Sequence, residues 1–320
     1  LSAVGTALGP SLGGLLLANW GWQAVFWVNV LLGLAALALA WWQLPLDRAT
    51  PPRTVRFDHL GTALLALSLT AYALAMTLQA GAWGTLNTGL LLTAALGLAA
   101  FVWAEKRAPA PLLRLQTLRQ PAVATGVAVN ALITTVVMAT LVVGPFYLAG
   151  GLGLDAARMG LVMTTGPAVA ALAGAPAGKL VDRLGATRVT GAGLLLMLVG
   201  AATLPWASAT WGALGYAATL ALITGGYAST QAANNTAVMA SAPADQRGLV
   251  SGLVNLSRNL GLITGASAMG AVYQWGATAT TQAGGPDALA GLRLAFGVAA
   301  GLVLAAMVVA GLGQRVARPG

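Results

Sequence analysis

Few side chains in this 320-residue sequence can do chemistry. There is no cysteine, one histidine (His59), seven acidic and sixteen basic residues, so 7% of the chain is charged while 58% is hydrophobic. One charged residue lies deep inside an apolar run. Arg258 sits in RGLVSGLVNLSRNLGLITGAS (247–267), about ten residues from its start, or roughly 15 Å along a helix. Ser251, Asn255, Arg258 and Gly265 fall on one face of such a helix. A guanidinium presents five donors in a planar fork that matches a carboxylate or an anionic cargo. Two roles fit it: a contact to cargo or to a coupling acid in a cavity, or a structural arginine that snorkels or ties neighbouring carbonyls. Asn130, Thr134, Thr135, Gln231, Asn234 and Asn235 are further polar residues in apolar runs. They are candidates to line the same cavity, or to hydrogen-bond between helices.

Other chemistries find no residues. Without cysteine there is neither a disulfide framework nor a thiolate metal site. No HExxH and no paired buried carboxylates occur, and the single histidine stands at the end of a run, so no metal site, cofactor or enzymatic reaction is expected. Acids avoid the middle of the apolar runs. Asp58 and Glu105 stand at their ends, and Asp155 and Asp287 between them. Proton coupling needs an ionisable group within the membrane, and this chain supplies no acid there.

The elements that position these residues are long apolar segments. With a mean hydropathy of +0.81, the chain has no charged surface of the kind a soluble protein needs. Ten runs near 2–18, 24–44, 59–79, 87–105, 121–149, 158–177, 188–206, 211–233, 249–274 and 291–312 are each long enough to cross about 30 Å of hydrocarbon. They should be helical, since lipid offers the backbone no partners. The fifth is long, and its first turns are expected along the membrane surface. If residue 1 faces one side, Arg48, Arg53, Arg56, Lys106, Arg107, Arg114, Arg119, Lys179, Arg183, Arg188, Arg247, Arg315 and Arg318 fall on that side, and Arg158 and Arg293 on the other. Thirteen against two is the positive-inside pattern, which puts both ends of the chain in the cytoplasm of a multi-pass cell-membrane protein. The net charge of +9 is thereby spread over loops that face anionic lipid rather than gathered into a nucleic-acid patch. Trp20, Trp22, Trp83, Trp206 and Trp211 at outer ends, and Trp41, Trp42 and Trp103 at inner ends, suit an interfacial belt.

Three stretches carry motifs. GTALGPSLGG (5–14) places Gly5, Gly9 and Gly13 four apart, with Pro10 and Gly14; the glycines make a flat face for close helix packing, and the proline removes a backbone hydrogen bond. GKLVDRLGATR (178–188) lies in a cytoplasmic connection. There Gly178 permits close approach and Gly185 a tight turn. Asp182 is placed to cap the next helix or to pair with an arginine, and Arg183 and Arg188 to reach carboxylates or lipid phosphates. The third is the Arg258 stretch itself.

Together these resemble the fourteen-span drug:proton antiporter family of the major facilitator superfamily. The first stretch is similar to the antiporter motif of its fifth helix. WQAVFWVNVLLG (22–33) is similar to the start of the sixth through Trp22, Phe26, Asn29 and Gly33, departing at Gln23, Ala24 and Leu31. The second resembles the cytoplasmic gate-loop motif through Gly178, Leu180, Asp182, Arg183 and Gly185. The third resembles the mouth of the eleventh helix through Arg247, Gly248, Ser251, Gly252, Asn255, Arg258 and Gly261. The resemblance implies an all-α major facilitator fold with about ten transmembrane helices present, beginning at the fifth. Residues 1–44 would be the last two helices of an N-terminal six-helix bundle. Residues 45–120 would be an inserted hairpin with its linkers, 121–314 the C-terminal bundle and 315–320 a cytoplasmic tail. It implies proton-driven efflux of hydrophobic or cationic organic compounds by alternating access, with the proton gradient as energy source and no cofactor. The coupling acids would then belong to helices before residue 1. A carrier for another small solute, or an inactive truncated fragment, is the alternative. Arg258, Asn255, Asn130, Asn234 and Asn235 are the expected cavity residues.

The orientation has a direct test, made simple by the absence of native cysteine. Single cysteines introduced near Arg53, Arg114 and Ala186 should react with an impermeant maleimide only from the cytoplasmic side, and one near Gly84 only from outside.

Overall fold

The computed structural model describes residues 20–43, 58–78, 84–108, 117, 120–243, 246–279 and 287–316. The opening glycine motif, Gly5, Gly9, Pro10, Gly13 and Gly14, therefore lies outside the described residues, as does the first expected span. The described regular structure is all helical: α1 (Trp22–Gln43), α2 (His59–Thr77), α3 (Thr85–Glu105), α4 (Pro121–Gly150), α5 (Ala156–Leu184), α6 (Ala186–Ser241), α7 (Arg247–Ala279) and α8 (Ala288–Val316). Seven of these are long and apolar enough to cross a membrane. The exception is α7, whose 33 residues include Ser251, Asn255, Ser257, Arg258 and Asn259. Large side chains such as Leu172, Leu214 and Leu161 are exposed, as they must be on helices whose solvent is hydrocarbon.

One expectation changes. The start of the fifth span does not lie along a surface. It is the first turn of the continuous 30-residue α4, with Pro121 at the N-terminal position that tolerates proline. Val123 is fully buried there, against Phe101, Val238 and Val250. The seventh and eighth spans are both present as helices. They are two arms of α6, folded at Gly212, whose φ of 59° and ψ of −134° suit only glycine.

The arms of α6 touch backbone to backbone. A Cβ on Gly226 would lie 2.5 Å from the Gly193 carbonyl oxygen, and one on Gly193 2.7 Å from the Gly226 carbonyl. About two turns nearer the bend, a Cβ on Gly200 would meet Ile223 Cγ1 at 2.7 Å. Lipid supplies no hydrophobic drive between helices, so this close approach of small residues is what holds the arms together.

Around α6, the long α4 is the central post. It packs along α7 and α8 and more lightly on α6. Its Val129, Ile133, Val136, Ala139, Val143 and Leu148 join Leu194, Met197, Ile223, Phe296 and Val303 in one core. The α2–α3 hairpin is knit by Asn87, whose Nδ2 donates to the Ala75 and Leu78 carbonyls at 2.8 Å each. This pair docks on the outside of α7. The Tyr72 hydroxyl is hydrogen-bonded to Thr264 Oγ1, and Phe101, Leu64 and Leu65 pack on Val250, Leu253 and Val254.

Gly193→Ala should lower the thermal stability of detergent-solubilised protein by an amount equivalent to about 1–3 kcal/mol, since neither arm of α6 can yield backbone. Gly191→Ala, where an added Cβ meets nothing within 4 Å, should be neutral or stabilising by up to about 1 kcal/mol from helix propensity. Thermal unfolding of the two variants side by side measures the difference.

Candidate functional site

The polar residues of the apolar runs converge on the seam between α4 and α7. Asn130 is fully buried. Its Nδ2 donates at 2.9 Å to both the Val254 carbonyl and Ser257 Oγ across the seam. Thr134 donates back to the Asn130 carbonyl at 2.6 Å within its own helix. Thr135 Oγ1 is shared between the Ala131 carbonyl at 2.9 Å and the Gly261 carbonyl of α7 at 3.2 Å. The helices approach this closely because α7 presents glycine. A Cβ on Gly261 would be 2.5 Å from the Ala131 carbonyl, and one on Gly265 2.7 Å from that of Thr135. Asn130 Oδ1, by contrast, is buried with no hydrogen-bond partner.

The cavity candidates divide into two sets. Asn130 and Asn234 point inward. Asn234 Nδ2 donates to the Gly126 carbonyl at 3.0 Å, tying α6 to α4. It also borders a cavity of about 210 Å³, with Thr125, Thr187, Thr190 and Gln314. Asn255, Arg258 and Asn235 are exposed, and Asn255 reaches only its own helix, at the Ser251 carbonyl, 3.2 Å away. Arg258 and Gly265 do not share surroundings as the helical wheel suggests. The stripe of α7 that faces α4 runs Leu253, Ser257, Gly261, Gly265, Met269, Tyr273. Steps of four residues on a helix of 3.6 per turn rotate that stripe by about 40° each time. By Gly265 it has turned to the side that Arg258 occupies two turns earlier. The exposed face around Arg258 therefore consists of Gly248, Gly252, Asn255 and Asn259.

Gly185 alone links α5 to α6, with φ of 82°, a conformation that makes the one-residue turn possible. Asp182 does not cap α6: the N-cap is Gly185, without a side-chain bond. Asp182, Arg183 and Arg188 are exposed, and the ion pair formed among the described residues is Arg158 with Asp155, 3.5 Å apart on the opposite side. A Cβ on Gly178 would meet nothing within 4 Å, so no close helix contact depends on that glycine here. Among the described residues, no group of three His, Cys, Asp or Glu is placed to hold a metal ion.

Sequence reasoning passed over Ser257 and the Tyr72–Thr264 pair. Ser257 lies four residues from Gly261 and eight from Gly265, and that spacing is the signal that could have marked it as part of the packed stripe. No sequence signal pairs Tyr72 with Thr264, which are 192 residues apart.

Comparison with known proteins identifies the family. A family model described as Major Facilitator Superfamily matches residues 1–266 and, in a second overlapping stretch, 124–319. The chain belongs to the major facilitator superfamily. Its bundle of long apolar helices is accordingly a major facilitator fold, consistent with a multi-pass membrane protein. The "Multidrug resistance protein Stp" of Mycobacterium tuberculosis is 30% identical over 285 residues, covering 88% of this chain and 52% of that protein. The "Tetracenomycin C resistance and export protein" of Streptomyces glaucescens is 31% identical over 275 residues, 83% of this chain and 49% of that one. The "Methyl viologen resistance protein SmvA" of Salmonella typhimurium is 27% identical over 271 residues, 83% and 54%. The chain thus spans about half the length of the curated relatives it matches.

Asn130→Ala removes two interhelical bonds and should destabilise by about 0.6–2 kcal/mol, the range for such bonds in membranes. Asn130→Asp should cost more, because a buried carboxylate would face the Val254 carbonyl with no donor. Thermal unfolding of the two variants ranks them; Ala below Asp would overturn the seam described here.

Proposed function

We propose that these residues form part of a transporter that exports hydrophobic or cationic organic compounds by proton-driven antiport and alternating access. The observation that carries this reading is the similarity, over more than four fifths of the chain, to proteins named for multidrug resistance and for antibiotic resistance and export. The geometry supports it at one place. The cytoplasmic half of α7 exposes a strip of small and polar residues with Arg258 on it. In hydrocarbon an arginine at that depth would cost several kcal/mol, so the strip is suited to face protein or a water-filled route. Farther along, the same helix is covered by α2 at Thr264.

In this reading Arg258 meets anionic groups of cargo or a carboxylate of the facing helices. Asn130 and Asn234 hold the wall behind it. The exposed Asp182, Arg183 and Arg188 form the polar contact that latches the cytoplasmic gate. The proton gradient supplies the energy.

The test is drug efflux by the whole gene product in vesicles with an imposed pH gradient. Arg258→Lys keeps the charge and loses the fork; Arg258→Met keeps much of the apolar length and loses the charge. Both should express and unfold like the parent, since Arg258 is exposed. Both should lose most proton-driven efflux, Met more than Lys. Parent-like efflux from Arg258→Met would remove this arginine from the mechanism. A gradient-independent parent would remove proton coupling.

A further inference from the structure

The outer end of the helices holds a second polar place that export does not explain. Three outer segments meet there: the end of α4 with its following turn, the fold of α6 near Ala209, and the start of α8 at Asp287. Between them is a cavity of about 390 Å³, bordered by Tyr147, Leu152, Ala209, Asp287 and Leu289. A second cavity of about 400 Å³, bordered by Tyr273, Gln274 and Thr278, shares Gly150 and Ala288 with the first.

The groups around this space are held rigidly. Tyr147 is 2% exposed, its ring wedged where a Cβ on Gly151 would lie 2.8 Å away and stacked on Tyr216 at 6.3 Å between centroids. Its hydroxyl has no hydrogen-bond partner among the described residues and is not one of the polar atoms sealed inside protein, and the residue borders the cavity. The Tyr273 ring stacks on Phe146 at 6.1 Å, with its edge 3.0 Å from where a Cβ of Gly291 would stand. Asp287 is pinned from both sides. Its main-chain N–H donates to the Ala277 carbonyl at 2.9 Å, and its Oδ1 accepts from the N–H groups of Leu289 at 2.9 Å and Ala290 at 3.1 Å. Oδ2 has no partner among the described residues. Neither cavity is bordered by a basic side chain; the nearby Arg293 of α8 lies instead over the Trp206 ring, 5.3 Å from its centroid.

A fixed carboxylate, an unpartnered hydroxyl and aromatic walls, with no basic side chain among the described lining residues, select one chemistry. A metal ion would need several oxygen ligands, and one carboxylate is too few. An anion would meet Asp287. An organic cation gains from the carboxylate, from the aromatic rings and from the apolar lining together. We propose that this outer cavity binds an organic ammonium head, with Asp287 as its counter-ion, the Tyr147 hydroxyl as a dipole beside the charge and Tyr273 as an aromatic wall. Two sources present that head on this side of the membrane: a soluble organic cation, or the ethanolamine of a phospholipid. The inference stands independently of export, since it concerns equilibrium binding at the outer surface.

The test uses the whole gene product, purified in a non-ionic detergent and stripped of lipid. Benzyltrimethylammonium and dihexanoyl-phosphatidylethanolamine are titrated separately by calorimetry. Asp287→Asn keeps the helix cap, for which Asn serves as well as Asp, and removes the charge. Tyr147→Phe removes only the hydroxyl. Asp155→Asn is the control, because Asp155 caps α5 on the same side through Arg158 N–H at 2.8 Å and borders neither cavity. Binding of at least one probe is expected. Asp287→Asn should weaken it about tenfold, as for loss of a charge-assisted contact, and Tyr147→Phe by a smaller factor, with Asp155→Asn unchanged. Response to benzyltrimethylammonium alone assigns the cavity to soluble cations, and response to the phospholipid assigns it to headgroups. Failure of both probes to bind the parent, or equal affinity in parent and Asp287→Asn, overturns the proposal.

Discussion

Close approach to bare main-chain carbonyls organises this bundle. In hydrocarbon a carbonyl already bonded within its helix still attracts a donor, and a helix without side-chain bulk can come near enough to bring one. The Val254 and Gly126 carbonyls each receive an asparagine amide from a neighbouring helix. Gly193, Gly226, Gly261 and Gly265 clear the space for backbones to meet. The large apolar side chains fill the core around these contacts, but they would be equally content against lipid. Specific pairing of helices therefore falls to a handful of amides, hydroxyls and glycines.

The helices themselves were legible from the run of apolar residues, because the thickness of the membrane sets their length. The expected 249–274 and 291–312 became Arg247–Ala279 and Ala288–Val316, longer mainly where the helix continues past the hydrocarbon. Connections were harder to read. Trp206 and Trp211 flank a stretch that looks like a loop, yet helix persists through it until Gly212 reverses the chain. A single positive φ carries no hydropathy signal. The start of the fifth span was misread because a run longer than the membrane is thick leaves turns to spare, and only the packing of Phe101 and Val250 around Val123 shows that these turns are buried.

Polar residues were legible as a set but not in direction. Asn130 and Asn255 are the same amide in similarly apolar surroundings, and one is sealed between helices while the other is bare. Direction depends on how the contact stripe of α7 winds, which is a property of the crossing of two helices rather than of either sequence. Arg258 shows the same effect, standing apart from Gly265 although an ideal wheel superimposes them. The acidic and aromatic groups of the outer cavity were invisible for another reason. Tyr147 and Asp287 are brought together by three connections distant in sequence, and neither belongs to a motif.

The one-residue reversal at Gly212 has a mechanical consequence. Two helices joined by a loop of several residues can slide or part at either end. The arms of α6 share a pivot with no slack at the outer face, and they are locked along their length at Gly193, Gly200 and Gly226. They behave as a folded pair of tongs whose free tips, near Ala186 and Ser241, lie at the opposite face. Any relative displacement of these two helices during a working cycle is confined to an angular opening at those tips, beside the short turn at Gly185, and its amplitude shrinks to nothing at the bend.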